Sequence, residues 1–261
     1  MNIIERAKAN RGVFYNTLYP FYQSKPYFIP PDEIKQREIL ELNWNVFLEE
    51  FLAYQNKGLT KNDVMRTGRG YNEPGLKTVT LITNMYRYHK RCAHFPRTMK
   101  ILEAIPELSL LTINVLHPGT NIRPHYGETD ATYRCHLGLI VPAQLPECGI
   151  RVGNEIEAWE EGKILAFIDA NRHKVWNNSQ GDRVILLADF IRPGVKSSKW
   201  MICGRTWSSL IMSGLIVRWN FLKQTPFFIA EAFNILLAFG FIAIIWLQRT
   251  FRFELPYVSR N

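Results

Sequence analysis

The chain has few cysteines, and none of them is paired closely. Its 261 residues include four cysteines, and no two of them form a Cys-x-x-Cys pair. Small secreted domains rely on dense disulfide pairing, and zinc knuckles need closely spaced thiolates. The sequence therefore predicts neither a disulfide framework nor a cysteine-rich zinc site, and we expect a reducing compartment.

The chain also lacks an apolar run near its start and has few acidic residues near its end. The first twelve residues mix charges, so we expect no cleaved secretory signal. Residues 190–261 carry nine Lys and Arg against two Asp and Glu, which is +7 of the total net charge of +9. A basic excess of this kind fits an anionic membrane surface, and we expect no nucleic-acid partner.

Residues 1–108 predict a mixed helical and β region that packs on the rest of the protein. Residues 32–56 follow two prolines and place apolar side chains near helical spacing, which predicts an amphipathic helix. A second helix is predicted over residues 97–104 and a strand over residues 77–83.

Residues 109–193 have the texture of an all-β sandwich or barrel. Short β-rich runs are separated by Pro, Gly, Asn and Asp turns. Six strands are predicted, at LLTINVL, YRCHLGLIV, GIRVG, KILAFID, HKVWN and RVILLADF. Strands of this number and spacing predict a closed or double-sheet β architecture.

The C-terminal part predicts membrane attachment. Residues 194–225 read as a basic linker with a short apolar segment, and residues 248–261 as a basic tail. Residues 226–247 are apolar except for Glu231 and Asn234, long enough to cross a hydrocarbon core of about 20 residues. Trp246 at the end of this segment fits an interfacial anchor. The alternative is a buried helix in a larger core.

The orientation follows from the basic residues that precede the apolar segment. No acidic residue lies among them. They are Arg192, Lys196, Lys199, Arg205, Arg218 and Lys223. By the positive-inside tendency, we expect the β domain attached to this side to face the cytoplasm.

Three residues of the β region carry possible chemistry. His125 lies in the run RPHYG, and His173 begins the strand HKVWN. Ferrous iron that activates oxygen needs imidazole or carboxylate ligands on one face, with open positions opposite. Arg183 enters an apolar strand, where a guanidinium needs a partner such as a carboxylate. The alternatives are two surface histidines and an outward-facing arginine.

The order of the motifs adds a resemblance to a known family. HPGTNIRPHYG, YRCHLGLIVP, CGIRVGNE with WEEGK, FIDANRHKVWNN and DRVILLADFIRP follow one another over about a third of the chain. Together they resemble the core of the aspartyl/asparaginyl β-hydroxylases, oxidoreductases that use Fe(II), 2-oxoglutarate and O₂. The resemblance implies a double-stranded β-helix of the cupin or jelly-roll type, with an N-terminal α/β packing layer and a C-terminal hydrophobic helix.

The resemblance also implies roles for six residues. His125 and His173 match the iron-binding histidines, and Arg183 matches the arginine that binds 2-oxoglutarate. Arg134 and His136 match a block that is implied to contact the cosubstrate. Asn114 stands where some members place a serine that touches it, and an amide can still donate a hydrogen bond.

The usual third iron ligand is missing from this sequence. Gly127 occupies the place where most 2-oxoglutarate oxygenases carry an Asp or Glu. The protein-hydroxylating members resemble this chain in that respect, whereas the lipid-acyl hydroxylases tend to keep an aspartate. Glu128 or Asp130 is an alternative ligand. Asp169 is either a carboxylate that orients an iron ligand or a turn cap.

The function implied by the resemblance is that of a dioxygenase that hydroxylates aspartyl or asparaginyl side chains of a protein or peptide. The apolar segment and its basic flank leave open a second substrate class, the acyl chains of membrane lipids. A third hypothesis is a non-catalytic binding module that keeps the barrel without iron. We expect the protein to be membrane-associated in each case.

Overall fold

Eight consecutive strands are divided between two antiparallel sheets and form the centre of the protein. A computed structural model describes residues 22–56, 75–219 and 225–254. The strands are β1 (Phe28–Ile29), β2 (Leu76–Thr83), β3 (Tyr86–Arg87), β4 (Leu108–Leu116), β5 (Thr120–His125), β6 (Thr132–Ile140), β7 (Cys148–Val152), β8 (Glu155–Glu157), β9 (Ile164–Ile168), β10 (His173–Asn177) and β11 (Arg183–Ile191). The helices are α1 (Arg37–Leu42), α2 (Trp44–Gln55), α3 (His89–Cys92), α4 (Pro96–Leu102), α5 (Lys199–Arg218) and α6 (Phe227–Phe251).

The strand order is that of a double-stranded β-helix. The large sheet runs β1-β9-β6-β11-β4-β2-β3, and the small sheet runs β5-β10-β7-β8. Strands β4 to β11 thus supply four central strands of the large sheet and the whole small sheet. The predicted fold class is confirmed, including the N-terminal packing layer and the C-terminal apolar helix.

Side-chain alternation divides the large sheet into an outer and an inner face. On β4, Leu111, Ile113 and Val115 belong to an outer cluster that includes residues of α1, α2 and α4. Leu116 belongs to an inner cluster between the two sheets. The N-terminal helices therefore cover one face, which leaves the interior between the sheets for polar chemistry.

The predicted helix over residues 32–56 is interrupted. A 3₁₀ turn occupies Pro31–Glu33, and Asn43 separates α1 from α2. The Asn43 amide donates to the Ile39 carbonyl at 2.8 Å, a local bond that competes with helix continuation. Glu50 of α2 accepts from the backbone nitrogens of Arg97 and Thr98, both at 2.8 Å, and so caps α4. The predicted strand at 77–83 and helix at 97–104 are present within two residues of those bounds.

The helices α5 and α6 form an antiparallel pair. Most of the segment expected to be a linker folds as α5, whose N-cap Ser198 accepts from the Met201 nitrogen at 3.3 Å. A side chain at Gly204 would lie 2.8 Å from the Ala238 carbonyl oxygen, so the two helices approach closely there. Arg205 of α5 donates to Glu231 of α6 at 2.6 Å, and both side chains are buried.

The start of α5 and the end of α6 lie at the same end of this antiparallel pair, and both contact the β domain. Near the start of α5, Ile202 packs with Ala131. At the end of α6, the Gln248 amide donates to the Arg87 carbonyl of β3 at 2.6 Å and accepts from the Arg87 nitrogen at 3.3 Å. The Lys90 nitrogen donates to Glu254 at 2.7 Å. The helices therefore leave the domain and return to it.

Among the described residues, one helix is long and apolar enough to cross a membrane, by length and composition. It covers Phe228–Phe251, and most of it is exposed. A core helix of a soluble protein would be mostly buried, so the exposure of Leu236 and Phe239 does not fit that alternative. Residues 1–21, Lys223 and residues 255–261 lie outside the described part of the chain.

Candidate functional site: a histidine pair facing a buried arginine

The two predicted iron-binding histidines are direct neighbours across two strands. His173, the first residue of β10, is paired in register with His125, the last residue of β5. Their ring centroids lie 4.1 Å apart. Two imidazoles at this separation can bind a single ion between them.

The hydrogen bonds of the pair set the tautomer of each ring. His125 Nδ1 lies 2.8 Å from the Arg123 carbonyl oxygen, and His173 Nδ1 lies 2.8 Å from the Asn171 carbonyl oxygen. A carbonyl can only accept, so each Nδ1 carries the hydrogen and each Nε2 keeps a lone pair. Neutral imidazoles held in this tautomer have the form that ligates a metal.

The N-terminal segment contributes to the placement of His173. The Asn171 side chain donates to the Ser24 carbonyl at 3.1 Å and accepts from the Ser24 nitrogen at 2.9 Å. Two residues of this segment pair with β9 as β1. Nothing in the sequence predicts this contact, because it joins the Asn171 side chain to the backbone of a residue almost 150 positions away.

Gly127 faces the carboxylate of Asp169. A side chain at residue 127 would overlap the Asp169 carboxyl group, and the Gly127 nitrogen donates to the Asp169 carbonyl at 2.8 Å. Asp169 Oδ1 lies 3.7 Å from His173 Nε2. Thus the space that a carboxylate from residue 127 would need is filled by a carboxylate from the loop before β10.

Asp169 is held by a half-buried arginine. Arg134 of β6 makes a salt bridge to Asp169, and it binds Asp189 of β11 through Nε at 2.9 Å and Nη2 at 2.8 Å. A guanidinium forked between two carboxylates has a fixed orientation. Arg134 therefore lies at the site but is engaged by protein carboxylates, and its predicted contact with the cosubstrate stays a prediction.

The two acidic alternatives differ in their surroundings. Asp130 is buried and pairs with Arg192 at 3.2 Å, which directs it away from a role as iron ligand. Glu128 is also buried. Within the described residues, no group of three or more His, Cys, Asp or Glu side chains could hold a metal ion. Among the described residues, the site thus offers two histidines and no third protein ligand beside them.

Arg183 is a buried cation with unused donors. It begins β11 and is 2% exposed, with its guanidinium carbon 4.6 Å from the centre of the Trp159 ring. Its Nε and Nη1 have no hydrogen-bond partner. Burial lowers the pKa of Arg183 to about 10, so the group remains cationic at neutral pH. A buried cation with free donors is what an incoming carboxylate requires.

His136 places another free donor in the same interior. Its Nδ1 accepts from Trp159 Nε1 at 3.3 Å, so the hydrogen lies on Nε2, which is buried and has no partner. Burial, together with the nearby Arg183 and Arg134, holds the pKa of His136 well below its usual value. The ring is therefore a neutral donor at physiological pH.

The remaining predicted residue, Asn114, lies on the same inner face. Asn114 pairs in register with Ile185, two residues after Arg183, and accepts from Thr112 at 3.3 Å. Alternation from these positions also brings Arg134, His136 and Arg183 to the inner face. The two sheets thus bring all six predicted site residues to one interior.

Two further contributors were not predicted from sequence. Trp159 is buried, yet it both stacks on Arg183 and sets the tautomer of His136. Asp189 is the second partner of Arg134. Its signal was an acidic residue in the strand RVILLADFI, six residues after Arg183, where alternation returns to the inner face.

The comparisons with known proteins can now be set beside this geometry. A family model described as Aspartyl/Asparaginyl beta-hydroxylase matches residues 41–193. The chain belongs to this family. The match includes all six predicted site residues and the Trp159 and Asp189 side chains that contact three of them.

Two curated relatives and one solved structure illustrate the range of the family and fold. The human aspartyl/asparaginyl beta-hydroxylase is 33% identical over 163 residues, which is 59% of this chain and 21% of that protein. The ornithine lipid ester-linked acyl 2-hydroxylase of Rhizobium tropici is 39% identical over 98 residues, 38% of this chain and 35% of that protein. A viral collagen prolyl hydroxylase in complex with 2OG, from Paramecium Bursaria Chlorella virus-1, is 10% identical with a TM-score of 0.38, covering 64% of this chain and 97% of that one. This last likeness is too distant to add to the argument.

The family members differ from this chain in extent. The chain spans about a fifth of the human relative and about a third of the bacterial one. Family membership shows a hydroxylase domain. It leaves the cosubstrate, metal and substrate of this chain to be proposed from the site itself.

Proposed function

We propose that the chain is an Fe(II)- and 2-oxoglutarate-dependent dioxygenase that hydroxylates aspartyl or asparaginyl side chains of a protein or peptide. The observation that carries the proposal is the pairing of His125 with His173, each with its Nδ1 bonded to a backbone carbonyl, in an interior that also contains the unpaired donors of Arg183. A metal ion and a dicarboxylate together fit these groups.

The residues fit the implied metal. His125 and His173 would hold a ferrous ion through Nε2, because their Nδ1 atoms are committed to backbone carbonyls. With only two protein ligands, most coordination positions stay open for cosubstrate and O₂. When bound, ferrous iron would activate O₂, and the oxidative decarboxylation of 2-oxoglutarate to succinate and CO₂ would supply two of the four electrons that O₂ accepts, the other two coming from the hydroxylated substrate.

The residues also fit the cosubstrate. Arg183 would bind the distal carboxylate of 2-oxoglutarate, which satisfies its Nε and Nη1 in a place that water cannot reach. His136 would donate its Nε2 hydrogen, and Asn114 lies on the same face as a further polar contact. Trp159 would keep both Arg183 and His136 in position.

Asp169 and Arg134 would orient other groups at the metal site. Asp169 lies beside His173 Nε2 and fills the place of a third ligand, so we infer that it orients a water molecule or ligand at the open coordination positions. Arg134 fixes its carboxylate and balances its charge. Asp169 and Arg134 are therefore positioning residues, and neither needs to contact the substrate.

A lipid-acyl hydroxylase is the second candidate. Two observations favour it: the similarity to the Rhizobium tropici acyl 2-hydroxylase and the exposed apolar helix α6. Gly127 favours the protein substrate, because the carboxylate implied for lipid hydroxylases at this position would collide with Asp169.

The experiment follows succinate release and oxygen insertion together. The full chain is loaded anaerobically with Fe(II), and 2-oxoglutarate, O₂ and candidate peptides or lipids are then added. We expect succinate in proportion to substrate gaining one oxygen atom by mass spectrometry. His173→Ala should abolish the coupled turnover, and Arg183→Ala should raise the 2-oxoglutarate requirement steeply, whereas His94→Ala, at an exposed position two residues after α3, serves as a matched control.

Two results would contradict the proposal. Turnover that is unchanged in His173→Ala or Arg183→Ala would remove the assigned residues from the reaction. Failure to bind iron, with no absorption band on adding 2-oxoglutarate, would favour the non-catalytic module. Comparing the proteome and lipids of cells with and without the gene separates the protein substrate from the lipid one.

We further propose that α6 attaches the protein to a membrane with the catalytic domain on the cytoplasmic side. The end of the helix pair that rests on the domain is basic. It carries Arg192, Lys196, Lys199, Arg249 and Arg252. This concentration supports a cytoplasmic orientation by the positive-inside tendency. Labelling of single introduced cysteines from either side of the membrane tests the orientation.

A further inference from the structure

A basic cavity lies at the foot of α6, apart from the candidate catalytic site. It has a volume of about 520 Å³ and lies between α3, α4, β3 and the residue that follows α6. Its charged and polar lining comes from Arg87, His89, Lys100, Glu103 and Arg252. Three cations thus face one carboxylate.

The cavity contains two buried polar nitrogens that have no partner in the protein. Arg87 Nε and His89 Nε2 are buried and have no hydrogen-bond partner. Glu103 is already engaged, since it pairs with Arg87 and lies 3.8 Å from Arg249 Nη2. The cavity therefore has an excess of positive charge and an unfilled guanidinium donor at Arg87 Nε, which fits an anion with several acceptor oxygens, such as a phosphate.

An apolar surface continues directly from this cavity. Every described side chain of α6 that is exposed between Phe228 and Leu247 is apolar, and Leu236 is 68% and Phe239 56% exposed. Twenty helical residues extend about 30 Å, which matches the thickness of a hydrocarbon core. Trp246 and Phe251 lie exposed near the junction with the cavity.

The polar residues Glu231 and Asn234 of α6 are buried against α5 and do not contribute to this surface. Glu231 is buried against Arg205 at 2.6 Å, and the buried Asn234 accepts from Arg205 Nε at 3.4 Å and donates to Ser209 at 3.3 Å. The Asn234 carbonyl also accepts from Ser208 at 2.8 Å. With the carboxylate of Glu231 neutralised from within, the stretch of α6 from Phe228 to Leu247 presents a charge-free surface to its surroundings.

We propose that the cavity binds the anionic head group of a membrane phospholipid whose acyl chains lie along the exposed face of α6. The phosphate meets Arg87, Lys100 and Arg252, and the chains meet Trp246 and the apolar residues that precede it. This juxtaposition of an anion site with an apolar face of hydrocarbon length is the chemistry of a phospholipid. A second copy of the chain would bring like charges together at the cavity, which disfavours it as the occupant.

The test measures lipid retention by the full chain in detergent. Native mass spectrometry counts bound lipid after addition of phosphatidylglycerol or of phosphatidylcholine. We expect tighter binding of phosphatidylglycerol, weakened about fivefold by Lys100→Ala and again by Arg252→Gly, since each basic residue near an anionic lipid contributes about that factor. Arg252 has a φ of 53°, a conformation that glycine adopts freely, so this substitution removes charge without strain.

Controls separate the lipid from other occupants. Lys35→Ala removes an exposed cation outside the cavity and should leave lipid retention unchanged. Equal retention of the two lipids, or displacement of both by inorganic phosphate without any lipid preference, would overturn the proposal. A dimer in lipid-free detergent that Arg252→Gly dissociates would also overturn it, because the face would then belong to a second copy. None of these measurements depends on turnover, so their outcome is independent of whether the proposed dioxygenase activity is correct.

Discussion

The fit between Gly127 and Asp169 can be tested by adding one methyl group. In Gly127→Ala the new methyl would overlap the Asp169 carboxylate. That carboxylate cannot turn aside freely, because Arg134 holds it and Asp189 holds Arg134 at 2.8 Å. Over-packing of this kind costs about 1–3 kcal/mol in the free energy of unfolding. At about 2–4 °C per kcal/mol for a domain of this size, a loss of 2 kcal/mol lowers Tm by about 4–8 °C.

The same change should weaken metal binding. His125 lies two residues before Gly127 at the end of β5, so a shift of this segment would displace the proposed iron ligand. Changes in the groups that orient metal ligands typically cost about 10–100-fold in affinity. Titration of the full chain with an inert divalent ion, followed by thermal unfolding of the apo and loaded forms, measures both effects.

The double variant Gly127→Ala/Asp169→Ala isolates the cause. Asp169→Ala alone should cost about 1–3 kcal/mol, because Arg134 keeps only Asp189 as a partner. With the carboxylate gone, the added methyl at residue 127 has room, and the double variant should be no less stable than Asp169→Ala. Gly214→Ala on α5 is the control, since no atom lies within 4 Å of the added methyl. Strictly additive losses in the double variant would refute the proposed collision.

Three further predictions concern the cosubstrate pocket and the helix pair. Arg183→Lys keeps a cation but loses the fork over Trp159, so the KM for 2-oxoglutarate should rise about 100-fold with metal affinity unchanged in titration. Trp159→Phe keeps an aromatic face but removes the donor to His136, and calorimetry should find about tenfold weaker cosubstrate binding; unchanged affinity would deny Trp159 this role. Glu231→Leu leaves Arg205 buried without its carboxylate partner and should cost about 3–5 kcal/mol in thermal unfolding, whereas Glu231→Leu/Arg205→Met should recover most of that loss.

The barrel could be predicted from sequence where its strands are apolar. The six predicted strands correspond to β4, β6, β7, β9, β10 and β11, because alternating or continuous apolar residues identify strands that are buried on at least one face. β5 was not predicted, although it carries His125. Its sequence TNIRPH is polar, contains a proline and is mostly not buried, so nothing in its composition marks a strand. The segment forms strand β5 because it pairs with β10.

The motif spacing and family resemblance named the site residues, but the contacts that orient them come from tertiary structure. His125 and His173 are 48 positions apart, and only the antiparallel register of β5 and β10 makes them neighbours. The fork of Arg134 between Asp169 and Asp189 joins three separate segments. Pairings of this length leave no local periodicity, so a single sequence cannot specify them.

The helix pair shows how a tertiary contact changes the meaning of a sequence. Glu231 and Asn234 interrupt the apolar run from Pro226, and in an isolated helix they would face lipid at a considerable cost. The structure supplies Arg205, Ser208 and Ser209 from α5, so the interruptions become the contact between two helices. A segment that resembled a linker is therefore what allows α6 to expose a wholly apolar face, and losing α5 should remove membrane attachment even though α6 itself is intact.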